Sequence, residues 1–424
     1  MRPVHVVDMA RTPFLKARGR PGPFSASDLA LQSGRALLLR QPFLPRDLDE
    51  VILGCAAPAP DEMNIGRILA LRLGCGHKVP GWTVMRNCAS GMQALDSACS
   101  NIRLGRSHLV LAGGTEALSR TPVLFSDRMV NWLSEWNTAC DLGQKSRLLF
   151  QLRPAHLKPV IGLLKGLTDP VVNLSMGQTA GNLADMFRIS RKSMDDYAMQ
   201  SHQRALAFPP DAWMRIPLMS SDGRIHDTDD GVRKALDPEK LATLTPAFDK
   251  PYGQITPGNS SQVTDGAAWL LLASDEAVAR WDLKPLASIL DVEWAALDPA
   301  LMGLGPVLAI APLLARNGLT LMDLDTLEIN EAFAAQVLAC QEAWADLDWC
   351  REQLGLGAPL GPMPSDRLNP HGGAIAIGHP VGATGARLVM EVIRTLHARG
   401  GRRGVASLCI GGGQGGAMLL EVCA

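Results

Sequence analysis

Asn369-Pro370-His371-Gly372-Gly373-Ala374-Ile375-Ala376-Ile377-Gly378-His379-Pro380-Val381-Gly382-Ala383-Thr384-Gly385-Ala386-Arg387 leads into Val389, Val392, Ile393 and Leu396, then into the apolar run Val405 to Ile410 and Gly411-Gly412-Gly413. Apolar residues three and four apart share one helical face, so the spacing predicts a helix opened by Gly378-His379-Pro380 and, after it, a strand closed by glycines. Toward the N-terminus the same order occurs again. Asn87-Cys88-Ala89-Ser90-Gly91 precedes Met92, Leu95, Cys99 and Ile102 at helical spacing, His108 to Ala112 reads as a short strand, and Gly113-Gly114 stops it. Each unit places a reactive side chain in a turn before a helix and glycines after the next strand. That repetition predicts an internal duplication, giving two similar α/β halves.

Working outward, Val4 to Asp8 is a β-branched run ended by Arg11-Thr12-Pro13 and reads as an opening strand. Residues from about Thr121 to Thr245 are rich in Pro, Trp and Met, with short helical patterns such as Arg191 to Ala207, and read as a lid or loop domain inserted in the first half. The predicted division is residues 1–274, including this insertion at about 121–245, and residues 275–424. Within the insertion, Leu148 to Leu167 is apolar but interrupted by Arg153, Pro154, Lys158, Pro159 and Lys165, which suits a surface helix or a partner-facing segment better than a membrane span.

Composition narrows the function classes. The 41 basic and 42 acidic side chains nearly cancel, and no run of like charge is long enough to track a phosphate backbone, which argues against a nucleic-acid partner. The apolar run Gly305 to Ala315 is short of the roughly 20 residues that cross a bilayer. No charged, apolar and small-residue leader is visible over Met1 to Arg11, so a cytoplasmic location is expected. Nine cysteines scattered from Cys55 to Cys423 form neither a disulfide framework nor the paired spacing of a zinc site, so no metal is expected. Most read as packing residues, leaving room for one or two nucleophilic thiols.

Three segments have the residue types for thiol chemistry. Cys88 at a helix start meets unpaired backbone N–H groups and the positive end of the helix dipole, both of which favour a thiolate. His379 stands in a glycine-rich turn, where glycines allow close backbone approach and Pro380 fixes the chain, as suits a base. Cys409 ends a strand before Gly411-Gly412-Gly413, whose N–H groups can converge on an oxyanion. Taken singly, each has a plain packing reading. A dinucleotide-binding reading of the final glycines fails, because no further strand and acidic residue follow.

Together with Ile329-Asn330-Glu331-Ala332-Phe333-Ala334, these segments resemble the thiolase family over nearly the whole chain. The resemblance includes Arg11-Thr12-Pro13-Phe14, Gly113-Gly114-Thr115-Glu116, Met176-Gly177-Gln178-Thr179-Ala180, Ser201-His202-Gln203-Arg204-Ala205, Gly258-Asn259-Ser260-Ser261 and Asp265-Gly266-Ala267-Ala268. It implies the thiolase fold, with α-β-α-β-α layers, and an acyltransferase that cleaves 3-ketoacyl-CoA with CoA or runs the reverse condensation. It also implies Cys88 as acyl carrier, His379 as its activating base and Cys409 as acid and base for the second substrate. Asn330 would hold a water that joins His379 in one oxyanion hole, and the N–H groups of Cys88 and Gly411 would form another. Ser261 would touch the pantetheine arm of CoA, and Met176 and Phe333 would line the acyl pocket. CoA is then a substrate, no cofactor is permanently bound, and a homodimer or homotetramer is implied.

Leu174-Ser175 lacks the His that precedes Met-Gly in short-chain biosynthetic members, which disfavours an acetoacetyl-CoA-forming enzyme. The stretch Met129 to Asn173 is similar to that of fatty-acid oxidation complex beta subunits, although these often carry His where this chain has Asn330. A role in fatty-acid beta-oxidation is therefore expected, and residues 148–167 are where a complex partner would dock, although the sequence does not tell whether one does. A decarboxylative ketosynthase would have His or Asn in place of Cys409, and a non-catalytic acyl-CoA-binding subunit would have lost one of the three reactive residues.

Overall fold

The computed structural model describes residues 2–209 and 211–422, so Cys423 lies outside the described residues. Nine strands organise the chain: β1 (His5–Arg11), β2 (Glu50–Gly54), β3 (Gly81–Val84), β4 (Leu109–Ala117), β5 (Thr264–Ala273), β6 (Ala287–Ala296), β7 (Thr326–Ile329), β8 (Arg403–Ile410) and β9 (Gln414–Glu421). Joined by the short Leu15–Lys16 strand on β5, they form a ten-stranded sheet in the order β7-β8-β9-β6-β1-β5-β4-β2-β3. The order β2-β4-β5-β1 has one parallel and then two antiparallel pairings. The order β7-β8-β9-β6 repeats that sequence of senses. The register pairs His5–Ser288 and Val6–Ala287 join β1 to β6 and so connect the halves. The duplication read from the turn-helix-strand order is thus present as a repeated strand topology.

Seven helices matter for the site: α1 (Ala26–Leu39), α2 (Ser90–Arg103), α3 (Met176–Met186), α4 (Arg191–Ala207), α5 (Gly305–Arg316), α6 (Ala334–Ala345) and α7 (Val381–Arg399). Strand alternation sorts them into layers, because successive side chains point to opposite faces. On β4, Leu109 and Leu111 pack with Leu29 and Leu37 of α1, whereas Val110 and Ala112 pack with Met92 and Leu95 of α2. On β8, Val405 and Cys409 pack with Val307 of α5 and Val337 of α6, whereas Ala406, Leu408 and Ile410 turn toward Val389 and Val392 of α7. Helices α2 and α7 therefore form a middle layer between two sheet halves, with α1 outside one and α5 and α6 outside the other. The predicted apolar faces are all buried: Met92, Leu95, Cys99 and Ile102 on α2, and Val389, Val392, Ile393 and Leu396 on α7. Each large side chain so placed is worth about 1.5–3 kcal/mol.

Gly113 and Gly114 do not stop their strand, which continues to Ala117. Their lack of a side chain serves packing instead. A Cβ at Gly113 would collide with the Ala268 carbonyl on β5, and one at Gly114 with the Gly382 carbonyl in the first turn of α7. Pro299–Arg316 is apolar and long enough to cross a membrane by composition, yet 61% of that window is buried, with Val307, Ile310 and Leu313 in the outer core of the second half.

Residues 121–168 form a separate compact unit. It holds helices over Asp127–Thr138 and Leu142–Gln151, a two-stranded pairing of Val123–Leu124 with Val160–Ile161, and a short helix over Gly162–Gly166. Leu148 to Leu167 is accordingly not one surface helix: it is broken where Arg153-Pro154 and Lys158-Pro159 fall. Trp132 and Trp136 stack at 5.3 Å, while Phe150 and Leu157 are exposed.

Candidate active site

The middle-layer helices carry the reactive turns at their N-termini, and neither helix has a side-chain cap. They cross through glycines: a Cβ at Gly91 would press on the Gly382 carbonyl, and one at Gly385 on the backbone of Met92. Small residues at a crossing let helices approach closely, so two turns far apart in sequence open toward each other. Glu116 fixes this arrangement by accepting the N–H groups of Ala56, Ala57 and Gly382 at 2.9, 3.0 and 2.9 Å.

Cys88 is half-buried and follows Asn87, whose φ of 44° is in the left-handed region. Asn tolerates that conformation better than most residues. The Asn87 amide donates to the Gly411 carbonyl at 2.8 Å, tying the nucleophile turn to the C-terminal glycine loop. The backbone N–H groups of Gly411 and Cys88 favour the anionic form of the Cys88 sulfur. They lower the thiol's pKa as expected of a helix start, but burial outweighs them and, with Glu116 adding, the net shift is upward. Cys88 is therefore held as a thiol, because desolvation of the anion exceeds the gain from the two N–H groups.

His379 is buried, and its Nδ1 lies 2.7 Å from Thr384 Oγ1. The Thr384 hydroxyl donates its own proton to the Pro380 carbonyl at 3.0 Å, so its oxygen accepts from Nδ1–H and leaves Nε2 with the lone pair. Nε2 faces Asn330 Nδ2 at 3.4 Å. Burial, with a smaller push from Arg387, takes the imidazole down to about 3, so it is a neutral base near pH 7.

Cys409 is fully buried at the end of β8, paired with Gly415 of β9. Burial raises its thiol well above the ordinary value, and the neighbouring Cys88 and Cys340 push it the same way, which places Cys409 within electrostatic reach of Cys88. Asn330 directly follows β7 and donates its N–H to the Ser407 carbonyl at 2.9 Å, while the preceding Ile329 is bracketed by the Asn369 amide of the glycine-rich segment through bonds of 2.8 and 2.9 Å. Glu331, next in sequence, is structural: it accepts from Tyr197 at 3.0 Å, Ser201 at 2.6 Å and the Ile375 N–H at 3.1 Å.

The remaining candidates join the same neighbourhood. Met176, the first residue of α3, has its sulfur 3.2 Å from where a Cβ on Gly411 would stand. Ser261 donates its N–H to the Ala332 carbonyl at 2.9 Å, and Ser260 bridges to Phe333. Phe333 is buried and meets Phe248 edge-on at 6.3 Å. The carbonyl of Gln262, adjacent to Ser261, accepts the His379 N–H at 3.1 Å. Of the sequence-predicted site residues, short contacts link His379 to Asn330 and Met176 to Gly411, Cys409 feels Cys88 electrostatically, and Ser261 and Phe333 are held by Ala332 and Phe248. Sequence reasoning missed Thr384 and Asn87 as orienting groups. Their signals were a hydroxyl one helical turn beyond Pro380 and an Asn directly before the nucleophile. Among the described residues no cluster of His, Cys, Asp and Glu is arranged to hold a metal ion.

Comparison with known proteins matches residues 4–276 to the family model for the thiolase N-terminal domain and residues 283–422 to that for the thiolase C-terminal domain. A beta-ketoadipyl-CoA thiolase of Acinetobacter baylyi is 37% identical over 99% of this chain and 100% of its own length. The mitochondrial trifunctional enzyme subunit beta of Homo sapiens is 34% identical over 99% of this chain and 89% of its own. Human mitochondrial 3-ketoacyl-CoA thiolase, solved in complex with CoA, superposes with a TM-score of 0.83 at 34% identity, covering 100% of this chain and 98% of that one.

Proposed function

This chain belongs to the thiolase family of acyltransferases, and from that premise we propose that it cleaves 3-ketoacyl-CoA with CoA, through an acyl thioester on Cys88, in fatty-acid beta-oxidation. The observations that support the proposal are a Cys88 thiol whose anion is favoured by the Gly411 N–H, a buried Cys409 thiol that feels Cys88, and a neutral His379 whose unprotonated Nε2 lies 3.4 Å from Asn330.

In this mechanism His379 takes the Cys88 proton as the sulfur attacks the 3-keto carbon. The N–H groups of Cys88 and Gly411 stabilise the resulting oxyanion, a contribution of about 10² to 10³ in rate for a single donor. Breaking the C2–C3 bond releases an acetyl-CoA enolate, whose oxygen is served by His379 and a water held by Asn330, and whose carbon takes the Cys409 proton. CoA then enters, gives its thiol proton to the Cys409 thiolate, and attacks the acyl thioester. Cys88 departs as thiolate and recovers its proton from His379. Two oxyanion sites serve two different oxygens, and two proton carriers divide the work between steps. Ser261 contacts the pantetheine arm, and Met176 and Phe333 bound the acyl pocket.

A second reading is thiolysis of beta-ketoadipyl-CoA, supported by full-length likeness to the Acinetobacter enzyme. Likeness to a trifunctional-enzyme subunit supports an oxidation-complex partner. A cytoplasmic homodimer or homotetramer completes the proposal. The test is thiolysis of short-, medium- and long-chain 3-ketoacyl-CoA and of beta-ketoadipyl-CoA by wild type and Cys88→Ser. Wild type is expected to cleave at least one substrate through a trapped protein thioester, with the variant reduced by about 10⁴-fold or more. A labelled acyl thioester that persists in Cys88→Ser, or no cleavage of any substrate, overturns the assignment.

A further inference from the structure

The compact unit of residues 121–168 has a surface unlike that of the rest of the chain. More than a third of the large apolar side chains exposed among the described residues fall within it, in about a ninth of the chain's length, among them Leu124, Phe125, Val130 and Leu164. Leu142 and Phe150 are 84% and 83% exposed. In the Leu142–Gln151 helix, Leu142, Leu149 and Phe150 are spaced i, i+7 and i+8, so they share one stripe, and Lys145 and Arg147 stand at its two edges. Charge is just as uneven. The unit holds six cations, Arg128, Lys145, Arg147, Arg153, Lys158 and Lys165, against three carboxylates, Asp127, Glu135 and Asp141, whereas the remaining chain has more acidic than basic side chains. Among the described residues none of these six cations is in a salt bridge. An open groove of about 900 Å³ brings both features together, with Arg128, Lys158 and Lys165 beside Val160, Ile161 and Leu164, and Asp127 as its carboxylate.

Apolar side chains left in water and gathered in one unit mark an interaction surface. Long cations at the edges of an apolar stripe suit a segment lying in a membrane interface, because their stems cover apolar ground while their charged ends reach phosphate. We propose that residues 121–168 dock this enzyme on an anionic lipid surface. Leu142, Leu149 and Phe150 enter the headgroup boundary, and Lys145, Arg147, Lys158 and Lys165 meet lipid phosphates. A bilayer suits this surface better than an acidic protein, because the exposed apolar residues extend beyond the groove over a helix, a strand pair and the turns between them, and a fluid interface conforms to them all. An excess of positive charge confined to this unit also directs it, rather than the net-acidic remainder, toward an anionic leaflet. The attachment is peripheral, since the helices Asp127–Thr138 and Leu142–Gln151 are each far short of the roughly 20 residues that span a bilayer. None of these residues takes part in the acyl-transfer steps, so the docking surface stands or falls independently of that reading.

The experiment is co-sedimentation of the full chain with vesicles of phosphatidylcholine alone and of phosphatidylcholine with about 30% phosphatidylglycerol. Wild type is expected to bind the anionic vesicles about tenfold or more tightly than the neutral ones, and to be released as ionic strength rises from about 0.05 to 0.5 M. Lys158→Ala combined with Lys165→Ala is expected to weaken binding about tenfold through lost charge, and Leu149→Ser combined with Phe150→Ser by a similar factor through lost apolar contact. All four side chains are exposed, so both double variants are expected to melt and to catalyse thiolysis as wild type does. Failure of wild type to bind anionic vesicles, or equal binding by wild type and both variants, overturns the proposal. So does self-association of wild type, seen by light scattering without lipid, that Leu149→Ser with Phe150→Ser abolishes, because the surface then belongs to a second copy of the chain.

Discussion

Cys88 and His379 are both held in their neutral forms, for the same reason. Burial disfavours a charge on either, raising the thiol and lowering the imidazole. A thiolate–imidazolium pair is therefore not the resting state, and proton transfer accompanies attack on the substrate. The sign of the pH dependence follows. Below its raised pKa the thiolate fraction grows about tenfold per pH unit, while His379 stays unprotonated across the whole neutral range. Alkylation by iodoacetamide, followed at Cys88 by peptide mass spectrometry so that exposed Cys140 does not interfere, is expected to rise steadily from about pH 6.5 to 9. A rate that levels off at or below about pH 7 would point to a preformed thiolate and contradict this account.

The crossing of α2 and α7 converts two separate turns into one site, and it depends on backbone approach that side chains would prevent. Gly91, Gly114, Gly382 and Gly385 each face backbone of the opposing segment. Read as punctuation, Gly113-Gly114 ends a strand, whereas β4 runs on to Ala117. That reading failed because a glycine needed for contact with a distant element looks the same in sequence as a glycine in a turn, and only the partner, here the first turn of α7, distinguishes them. The consequence is testable. Gly114→Ala is expected to lower stability by about 3 kcal/mol, because the Gly382 carbonyl cannot move without displacing the start of α7. Gly166→Ala, in open space on a short helix, is expected to change it by less than about 0.5 kcal/mol. Urea unfolding of the two variants compares them directly, and equal stabilities would mean that the crossing gives way easily.

Across the chain, the parts legible in sequence were those with a local signature. The 3.6-residue faces of α2, α4 and α7 and the glycine loop after β8 were readable because periodicity and turn chemistry need no knowledge of neighbours. The positions of Cys88, His379 and Cys409 came through motif resemblance, not through geometry. What sequence could not supply was the balance at Cys88, since the helix-start effect is local and the larger burial term depends on packing against distant residues. The unit formed by residues 121–168 shows the same limit, because its exposed apolar residues do not announce what they face. The three buried clusters that hold the sheet and its helices contain no residue from 121–168. Replacing residues 122–167 by a flexible Gly-Ser linker is therefore expected to leave a folded, cooperatively melting protein, with a midpoint within a few degrees of the parent. Loss of cooperative melting in that deletion would show that the remaining fold relies on this segment for more than connection.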